Sequence, residues 1–315
     1  MMSWSTCPMI ECRPFNNTDP PRLAAFWQQH PQPGLARPMT GSVFEHVVLG
    51  KLQFRSESLL LASHDDRLLG FIHLAQGTEQ DNHETGWPIV NMLLVDSGWD
   101  GAADVADRLI QTAVQHSGDA IQTARPYRQH PFYTGLYGGT GFPGFLESDP
   151  EVIDALTRNG FQTSHRRGIY RAPVATVSAP LAWEIRQFRR HAHASIRPLV
   201  VDPEWRDTDS RSHLQRTVIQ LDGDSDRGLL GQIEVWDQSP LSNGWSGPAI
   251  GIHRPCVDEC DQPEIVTSAL LCEAISFIQR SPAEFIEVYD DLADPDQLLD
   301  LGFELVDQAV EMERH

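Results

Sequence analysis

The sequence has 315 residues, of which 40% are apolar, and a formal net charge of −20. This length suits two domains, the apolar content can build packed cores and excludes a disordered chain, and no apolar run reaches the roughly 20 residues that a membrane span requires. The negative charge would repel a nucleic-acid backbone and attract a cationic amine, although acidity that serves only solubility explains it equally well.

The chain begins with "MMSWSTCPMIECRPF", which has neither the basic nor the apolar region of a signal peptide. We therefore expect a cytoplasmic protein, with neither nucleic acid nor a membrane among its partners.

Strands and helices alternate along the first half of the sequence. A strand over 9–15 precedes a helix with Thr18 or Asp19 as N-cap, Pro20 in its first turn and a buried face. That face consists of Leu23, Phe26 and Trp27. The further elements are a helix over 42–52, a hairpin over 58–76, an apolar strand over 88–96, a helix over 100–118 that buries Val105, Leu109, Ile110 and Val114, a strand over 119–126, a helix over 149–162 that ends at Gly160, and a strand over 168–174.

The second half repeats this order. The stretch "DRGLLGQIEVWD" at 226–237 resembles "DRLLGFIHLAQ" at 66–76, and "LGF" at 301–303 resembles "NGF" at 159–161. The predicted elements are a hairpin over 216–236, a strand over 248–257, a helix over 263–281, a strand over 284–291, and a helix, glycine and strand over 294–314.

The repeat predicts two α/β domains, residues 1–173 and 195–315, joined by a linker over 174–194. The pattern leaves open whether 181–193 is helix or strand. The basic stretch "RQFRRHAHASIR" near this linker is either an anion site or a solvated surface.

Five cysteines, an odd and sparse set, indicate a reducing compartment. Cys256 and Cys260 have a loose spacing for zinc, and no second pair follows them, so we expect no metal. The sequence also lacks the phosphate loops, HExxH and GxSxG patterns of other enzyme classes.

The element order, the two hairpins and the two "GF" stops resemble the GNAT family of N-acetyltransferases. The arrangement is similar to that of two-copy members such as mycothiol synthase. The stretch "FYTGLYGGTGFPGFLESD" at 132–149 also resembles an insertion of some tandem GNAT proteins. The resemblance implies an α/β (α+β) fold: two mixed-sheet domains in tandem, each with a splayed central sheet flanked by helices.

The resemblance implies acetyl-CoA as acyl donor. The backbone of Asn91, Met92, Leu93, Leu94 and Val95 would then hold pantetheine, and the amides of Gly101, Ala102 and Ala103 would hold the diphosphate. Asp100 stands near the place of the usual Arg or Gln. Asp104 and Asp107 each oppose a bound phosphate.

The corresponding loop of the second copy, "CVDECDQPEIVTSALL", departs further from the family. Ile265 replaces a key glycine, and Glu259, Asp261 and Glu264 surround the phosphate position. Two like charges about 5 Å apart repel by about 3 kcal/mol at an effective dielectric near 20. We expect this copy not to bind CoA and to cover the first copy.

The family's usual tyrosine acid is absent, since Leu156 and Leu298 occupy its positions. Tyr133 and Tyr137 would substitute for it if their segment folds over the cleft; otherwise they are packing aromatics. Glu84, beside His83, is the candidate general base, and Glu45 is another.

The leading interpretation is an acyl-CoA-dependent N-acyltransferase that acetylates a small-molecule amine of unknown identity in the first copy. The alternative is a non-catalytic tandem GNAT-like protein that binds a metabolite or protein partner in the interdomain cleft. A purely structural subunit is a third interpretation.

Overall fold

The structure, a computed structural model, describes residues 10–29, 40–76, 88–117, 121, 123–124, 132–137, 139–141, 144–179, 182–199, 213–223, 228–241, 247–258, 262–289 and 291–314. In these ranges every helix is too short or too polar to cross a bilayer.

The first half contains seven strands and four α-helices within the described residues. The strands are β1 (Glu11–Pro14), β2 (Leu59–His64), β3 (Arg67–Gln76), β4 (Pro88–Val95), β5 (Thr123–Ala124), β6 (Phe145–Leu146) and β7 (Phe161–Pro173). The helices are α1 (Pro20–Gln29), α2 (Gly41–Phe44), α3 (Ala102–Ser117) and α4 (Pro150–Arg158).

The described part of the second half contains seven more strands, preceded by a short helix. The strands are β8 (His193–Pro198), β9 (Gln215–Asp222), β10 (Leu229–Asp237), β11 (Ala249–Ile252), β12 (Cys256–Val257), β13 (Phe285–Tyr289) and β14 (Glu304–Arg314). The helices are α5 (Trp183–Phe188), α6 (Pro263–Ile278) and α7 (Pro295–Asp300).

All fourteen strands belong to one sheet, whose main path has the order β1-β2-β3-β4-β5-β14-β7-β13-β11-β10-β9-β8. The order is symmetric about its centre, where the last strands of the two halves, β7 and β14, pair antiparallel. Each of these strands lies beside the other half: β14 pairs with β5 and β6, and β7 pairs with β13. The halves have therefore exchanged their final strands.

The sheet of the first half has a buried core on each face. On one face, α3 and α4 place Val105, Leu109 and Leu156 against strand residues such as Ile72 and Val90. On the other face, α1 and α2 pack Trp27 and Phe44 against Phe71 and Met92. In the second half, α6 covers the face that includes Ile219, Ile233 and Ile286.

Local chemistry explains the start of α1. The carbonyl of Asp19 accepts a hydrogen bond from the Leu23 amide at 2.9 Å, as an N-cap does. Its carboxylate binds the Arg13 guanidinium through two contacts of 2.7 Å and accepts the Asn16 amide. The hydrogen bonds from Arg13 lower the pKa of Asp19. Leu23, Phe26 and Trp27 are buried, which confirms the predicted face.

Three elements differ from the sequence-based expectation. The predicted helix over 42–52 ends at Leu49, because its last turn is π-helical and the Gly50 amide closes it on the Glu45 carbonyl at 2.7 Å. The strand predicted over 168–174 begins at Phe161, because β14 provides a partner along its length. Val114 is only half-buried, whereas Ala106 and Ala113 complete the buried face of α3. The segment left open, 181–193, contains α5.

Strand exchange makes a specific prediction about Val310, a residue of β14 that packs in the first half's core with Phe145 and Phe161. Val310→Ala leaves a cavity there and should lower the free energy of unfolding by about 2 kcal/mol. Urea unfolding measures the loss, and hydrogen exchange should show reduced protection in α3 and α4.

Val306→Ala, on the same strand but 39% exposed, is the matched control and should change stability by less than about 0.5 kcal/mol. Reduced protection confined to α6 after Val310→Ala would contradict the exchange.

Candidate functional site

The sheet of the first half has a candidate gap beside β4, on the side of its parallel neighbour β5. In the described residues, β4 pairs with β5 only at Ile89 and Thr123, so the backbone of Asn91–Val95 has a strand, β3, on one side only. We call this gap the first opening. Unpaired backbone groups of a buried strand need hydrogen-bond partners, so the edge of β4 can receive an extended ligand that carries amides.

A β-bulge marks the place where the first opening begins. His73 of β3 pairs with Met92, whereas the next residue, Leu74, pairs with Val90. Asn91 is therefore the extra residue of β4. Because the bulge interrupts the regular alternation, it re-aims the side chains around it.

The Asn91 side chain is completely buried, and neither its Oδ1 nor its Nδ2 atom has a hydrogen-bond partner among the described residues. Leaving a buried polar group unpaired costs about 1–3 kcal/mol, so native proteins rarely retain one without a reason. The carboxamide offers two donors and two acceptor lone pairs, the complement of a peptide-like amide.

The loop after β4 folds back on itself around Asp96. The buried Asp96 carboxylate accepts the Gly98 amide at 3.0 Å and pairs with Arg67 at 2.5 Å. The Arg67 guanidinium also lies over the Trp99 ring at 5.2 Å. Gly101 has φ +104°, a conformation that side chains rarely adopt, so the turn into α3 requires this glycine.

Charges around the start of α3 are less repulsive than the sequence suggests. Asp107 is engaged by α4, since it accepts hydrogen bonds from Arg158 at 3.1 Å and from Asn159 at 2.8 Å. Asp100 and Asp104 are exposed. The negative charge of Asp107, which we expected from the sequence to oppose a phosphate, is thus compensated by Arg158.

Tyr133 and Tyr137 are both buried against the opening strands. The Tyr133 hydroxyl and His73 Nδ1 are hydrogen-bonded at 3.0 Å, and the Tyr137 hydroxyl donates to Met92 Sδ at 3.2 Å. Burial raises the pKa of both tyrosines well above its usual value. Each hydroxyl therefore retains its proton at neutral pH, and it could serve as an acid but not as a base.

Of the three candidate bases, Glu45 is the one that lies within the described residues. Glu84 and His83 lie outside the described residues. Glu45 is exposed and begins the π-helical turn after α2. Leu156 and Leu298, at the positions of the family's tyrosine, are buried core residues. The part of the chain that the structure describes contains no group of three His, Cys, Asp or Glu residues placed to hold a metal.

The second half has a corresponding opening. β11 and β13 pair in parallel from Ala249 to Gly251, and beyond that the strands separate. Ile252 pairs with Val235 of β10, and Cys256 pairs with Gln232. Three residues, 253–255, therefore lie opposite only two residues of β10, 233–234. The chain from β11 to β12 thus contains one extra residue, as β4 does. The amides of Asp96 and Asp258 bond to the carbonyls of Leu69 and Leu230.

Asp96 and Asp258 therefore occupy equivalent positions in the two halves. The residues five positions before them, Asn91 and His253, are then equivalent as well. The His253 ring stacks on Trp236 with centroids 5.3 Å apart, and its Nδ1 is 3.0 Å from the Thr140 hydroxyl. His73, Thr140 and His253 are site residues that the sequence interpretation did not include. The sequence did contain one indication of such residues: a polar residue stands inside each of the apolar stretches "PIVNMLLV" and "PAIGIHRPCV".

No family model matches the sequence, and a search of curated proteins gives no match. Solved structures do match over almost the whole chain. A fungal multi-domain β-N-acetylglucosaminidase, described as having a GCN5-related glucosamine N-acetyltransferase region, has a TM-score of 0.68 at 13% identity. That match covers 98% of this chain but 38% of the fungal one, so this chain spans well under half of that protein.

Two further structures extend the comparison. A tandem GNAT protein from the clavulanic acid biosynthesis pathway matches with a TM-score of 0.60 at 13% identity, over 97% of this chain and 98% of that one. The Saccharomyces cerevisiae N-myristoyltransferase with bound myristoyl-CoA matches with a TM-score of 0.57 at 9% identity, over 98% of this chain and 80% of that one. These likenesses confirm a tandem GNAT fold.

His213 gives a prediction for acid stability. Its Nε2–H donates to the Thr134 carbonyl at 3.0 Å, and burial, assisted by the charge of Lys51, lowers its pKa from 6.5 to about 4. Between these values the unfolded chain binds a proton that the folded protein does not, so stability falls as the pH falls. The loss attributable to His213 should reach about 2 kcal/mol by pH 5.

The measurement is thermal unfolding from neutral pH to pH 5. His213→Gln should show a smaller drop in Tm than the unmodified protein, while His116→Gln, at an exposed position in the last turn of α3, should match the unmodified protein. Equal drops in all three proteins would contradict the assignment.

Proposed function

We propose that this protein transfers an acyl group, with acetyl-CoA as donor, to the amine of a small molecule, and that the reaction centre is the first opening. The fold supports the reaction class, because it is shared with proteins described as N-acetyltransferases and with an acyltransferase that carries myristoyl-CoA. The acceptor amine agrees with the chain's net charge of −20.

The observation that carries the proposal is the unpaired carboxamide of Asn91 at the bulge. It lies on β4 two residues beyond Ile89, which pairs with Thr123 of β5, and the only strand beside it in the described residues is β3. A pantetheine chain laid along β4 would bring amide groups to the two places that lack partners, the strand edge and the Asn91 side chain.

The remaining residues would divide the work between binding and proton transfer. The backbone of Asn91–Val95 binds the extended part of the donor. The amides at Gly101–Ala103 and the positive end of α3, a helix of sixteen residues, face the diphosphate. The nearby Arg67 guanidinium, 57% exposed in its side chain, is paired with Asp96, so it balances the loop's carboxylate and adds no net charge.

The chemistry needs one acid and one base. The amine nitrogen attacks the thioester carbonyl carbon, the C–S bond breaks, and the departing thiolate takes a proton. Tyr137 is the preferred acid, because its hydroxyl already contacts Met92 beside the bulge; Tyr133 is committed to His73 on β3. Glu84 stays the proposed base that removes the amine proton.

One observation favours the non-catalytic alternative. Phe132, Tyr133, Leu136 and Tyr137 are all buried on the α1–α2 face of the opening, in one cluster with Trp236 and Tyr289 of the second half. An acceptor on that face would have to displace packed aromatic side chains. Under this alternative the protein binds a metabolite or partner between its halves without turnover.

Asn91→Leu separates ligand binding from stability. Leucine removes the unpaired polar atoms at nearly constant volume, so the ligand-free variant should be as stable as the unmodified protein or more stable, by about 1–3 kcal/mol. It should also lose most of the increase in Tm that acetyl-CoA produces, since the ligand loses its hydrogen bonds to this side chain. Thermal shift with and without acetyl-CoA measures both effects.

Asn159→Leu is the matched control. Its carboxamide donates to Asp107 and to the Ala155 carbonyl, each at 2.8 Å, so this change should lower stability and preserve the acetyl-CoA effect. The proposed function fails if millimolar acetyl-CoA leaves the unmodified protein's Tm unchanged. A full acetyl-CoA effect in Asn91→Leu would remove Asn91 from the site.

The acid assignment predicts a difference between two tyrosines. Tyr137→Phe should reduce kcat for release of CoA thiol in the presence of a panel of primary amines by about 10–100-fold at unchanged KM. Tyr133→Phe should reduce it less. Turnover that is insensitive to Tyr137→Phe would return Tyr137 to a packing role.

A further inference from the structure

The second half contains a cavity that the proposed reaction does not use. It has a volume of about 610 Å³ and lies between the end of β11, the start of α6 and the end of β13. Its walls are formed by His253–Val257, Thr267, Asp291 and Leu292. We call it the second opening.

A strand edge faces this cavity. β12 pairs with β10 on one side, and among the described residues it has no partner on the other, because β13 has diverged after Glu287. Its second edge therefore offers backbone hydrogen-bonding groups to an extended molecule in the cavity. An added strand or peptide-like chain is the usual occupant of such an edge.

The first half contacts one wall residue of the second opening, His253, and the end of the neighbouring strand β13. The Thr140 hydroxyl binds His253, and the Tyr289 hydroxyl donates to the Gly141 carbonyl at 3.1 Å. Gly139 and Gly251 approach so closely that a Cβ on Gly251 would lie 2.7 Å from the Gly139 carbonyl oxygen. The first half thus helps to position His253, while the wall residues themselves belong to the second half.

The charges around the second opening select the ligand. Arg254 is exposed on the wall, and no hydrogen bond or ion pair engages its guanidinium in the described structure. Asp291 is 3.9 Å from Arg167, which also lies 4.0 Å from Glu311 and therefore compensates the charge of Asp291 only in part. At the entrance to α6, by contrast, Asp258 and Glu264 are exposed carboxylates. One anionic group is attracted to Arg254. The helix start offers a diphosphate one donor fewer than α3 does, because α6 begins at Pro263, which has no amide hydrogen.

We propose that the second opening binds a short, extended ligand that carries an amide and a single carboxylate, the chemistry of an acylamino acid or a short peptide. The carboxylate pairs with Arg254, and the amide pairs with the free edge of β12. We do not expect this ligand to be an acyl-CoA, because α6 begins at Pro263, which has no amide hydrogen to offer a diphosphate. The site is independent of the reaction proposed for the first opening.

Cys256 provides a local readout, since it is a free, exposed cysteine in the cavity wall. A bound ligand should slow its alkylation by iodoacetamide, followed by mass spectrometry of the Cys256 peptide. N-acetylglycine is the probe, and N-acetylglycinamide, which has the amide without the charge, is its neutral counterpart. Protection should saturate with N-acetylglycine at millimolar concentration and be at least about tenfold weaker with the neutral compound.

Arg254→Gln should weaken protection by N-acetylglycine about tenfold, whereas Arg280→Gln, at another exposed position, should leave it unchanged. Equal protection by both compounds, or none by either, would overturn the proposal. Protection of Cys256 by CoA would also overturn it, because the second opening would then accept a diphosphate. The Asn91→Leu variant tests the first opening separately. In this variant, N-acetylglycine should protect Cys256 as well as it does in the unmodified protein.

Discussion

The pairing of β7 with β14 at the centre of the sheet is the constraint on which the rest of the structure depends. Each strand lies in the sheet of the other half: β14 lies beside β5, and β7 lies beside β13. Without the pairing of β7 with β14, each half would present a long unpaired edge, which costs hydrogen bonds and invites aggregation. The buried Glu287, opposite Arg171 in register and 3.6 Å from it, lies at this junction. The exchange therefore makes two repeated units into one cooperative body.

The segment over 132–141 is the second connection between the halves. Its aromatic residues pack on β3 and β4 of the first half, while its glycines and Thr140 reach β11 and β13 of the second. Gly139 is needed here, because any Cβ would lie 2.4 Å from the Tyr289 ring. The two openings are thus physically linked although their chemistry differs.

Divergence at one position illustrates how the two copies came to differ. The same bulge presents Asn91 in the first half and His253 in the second. Asn91 is buried and unpaired, which suits an uncharged amide in a closed groove. His253 is held by Thr140 and Trp236 beside an exposed guanidinium, which suits an anionic group. The helices that follow also differ, since α3 begins after a glycine turn and α6 begins at Pro263, which has no amide hydrogen.

The sequence by itself determined the repeated unit, its hairpins, the apolar strands and the glycine stops, because these depend on local periodicity and turn chemistry. It also placed the candidate donor site on Asn91–Val95 and Gly101–Ala103, although only through resemblance to a family. Only the tertiary structure decided that β7 and β14 change places, since two copies of one unit have nearly equivalent edges and local pattern cannot choose between them. It alone showed the bulge at Asn91, the compensation of Asp107 by Arg158 and the meeting of Thr140 with His253, 113 residues apart. Each of these depends on contacts between residues distant in the chain, which periodicity does not encode.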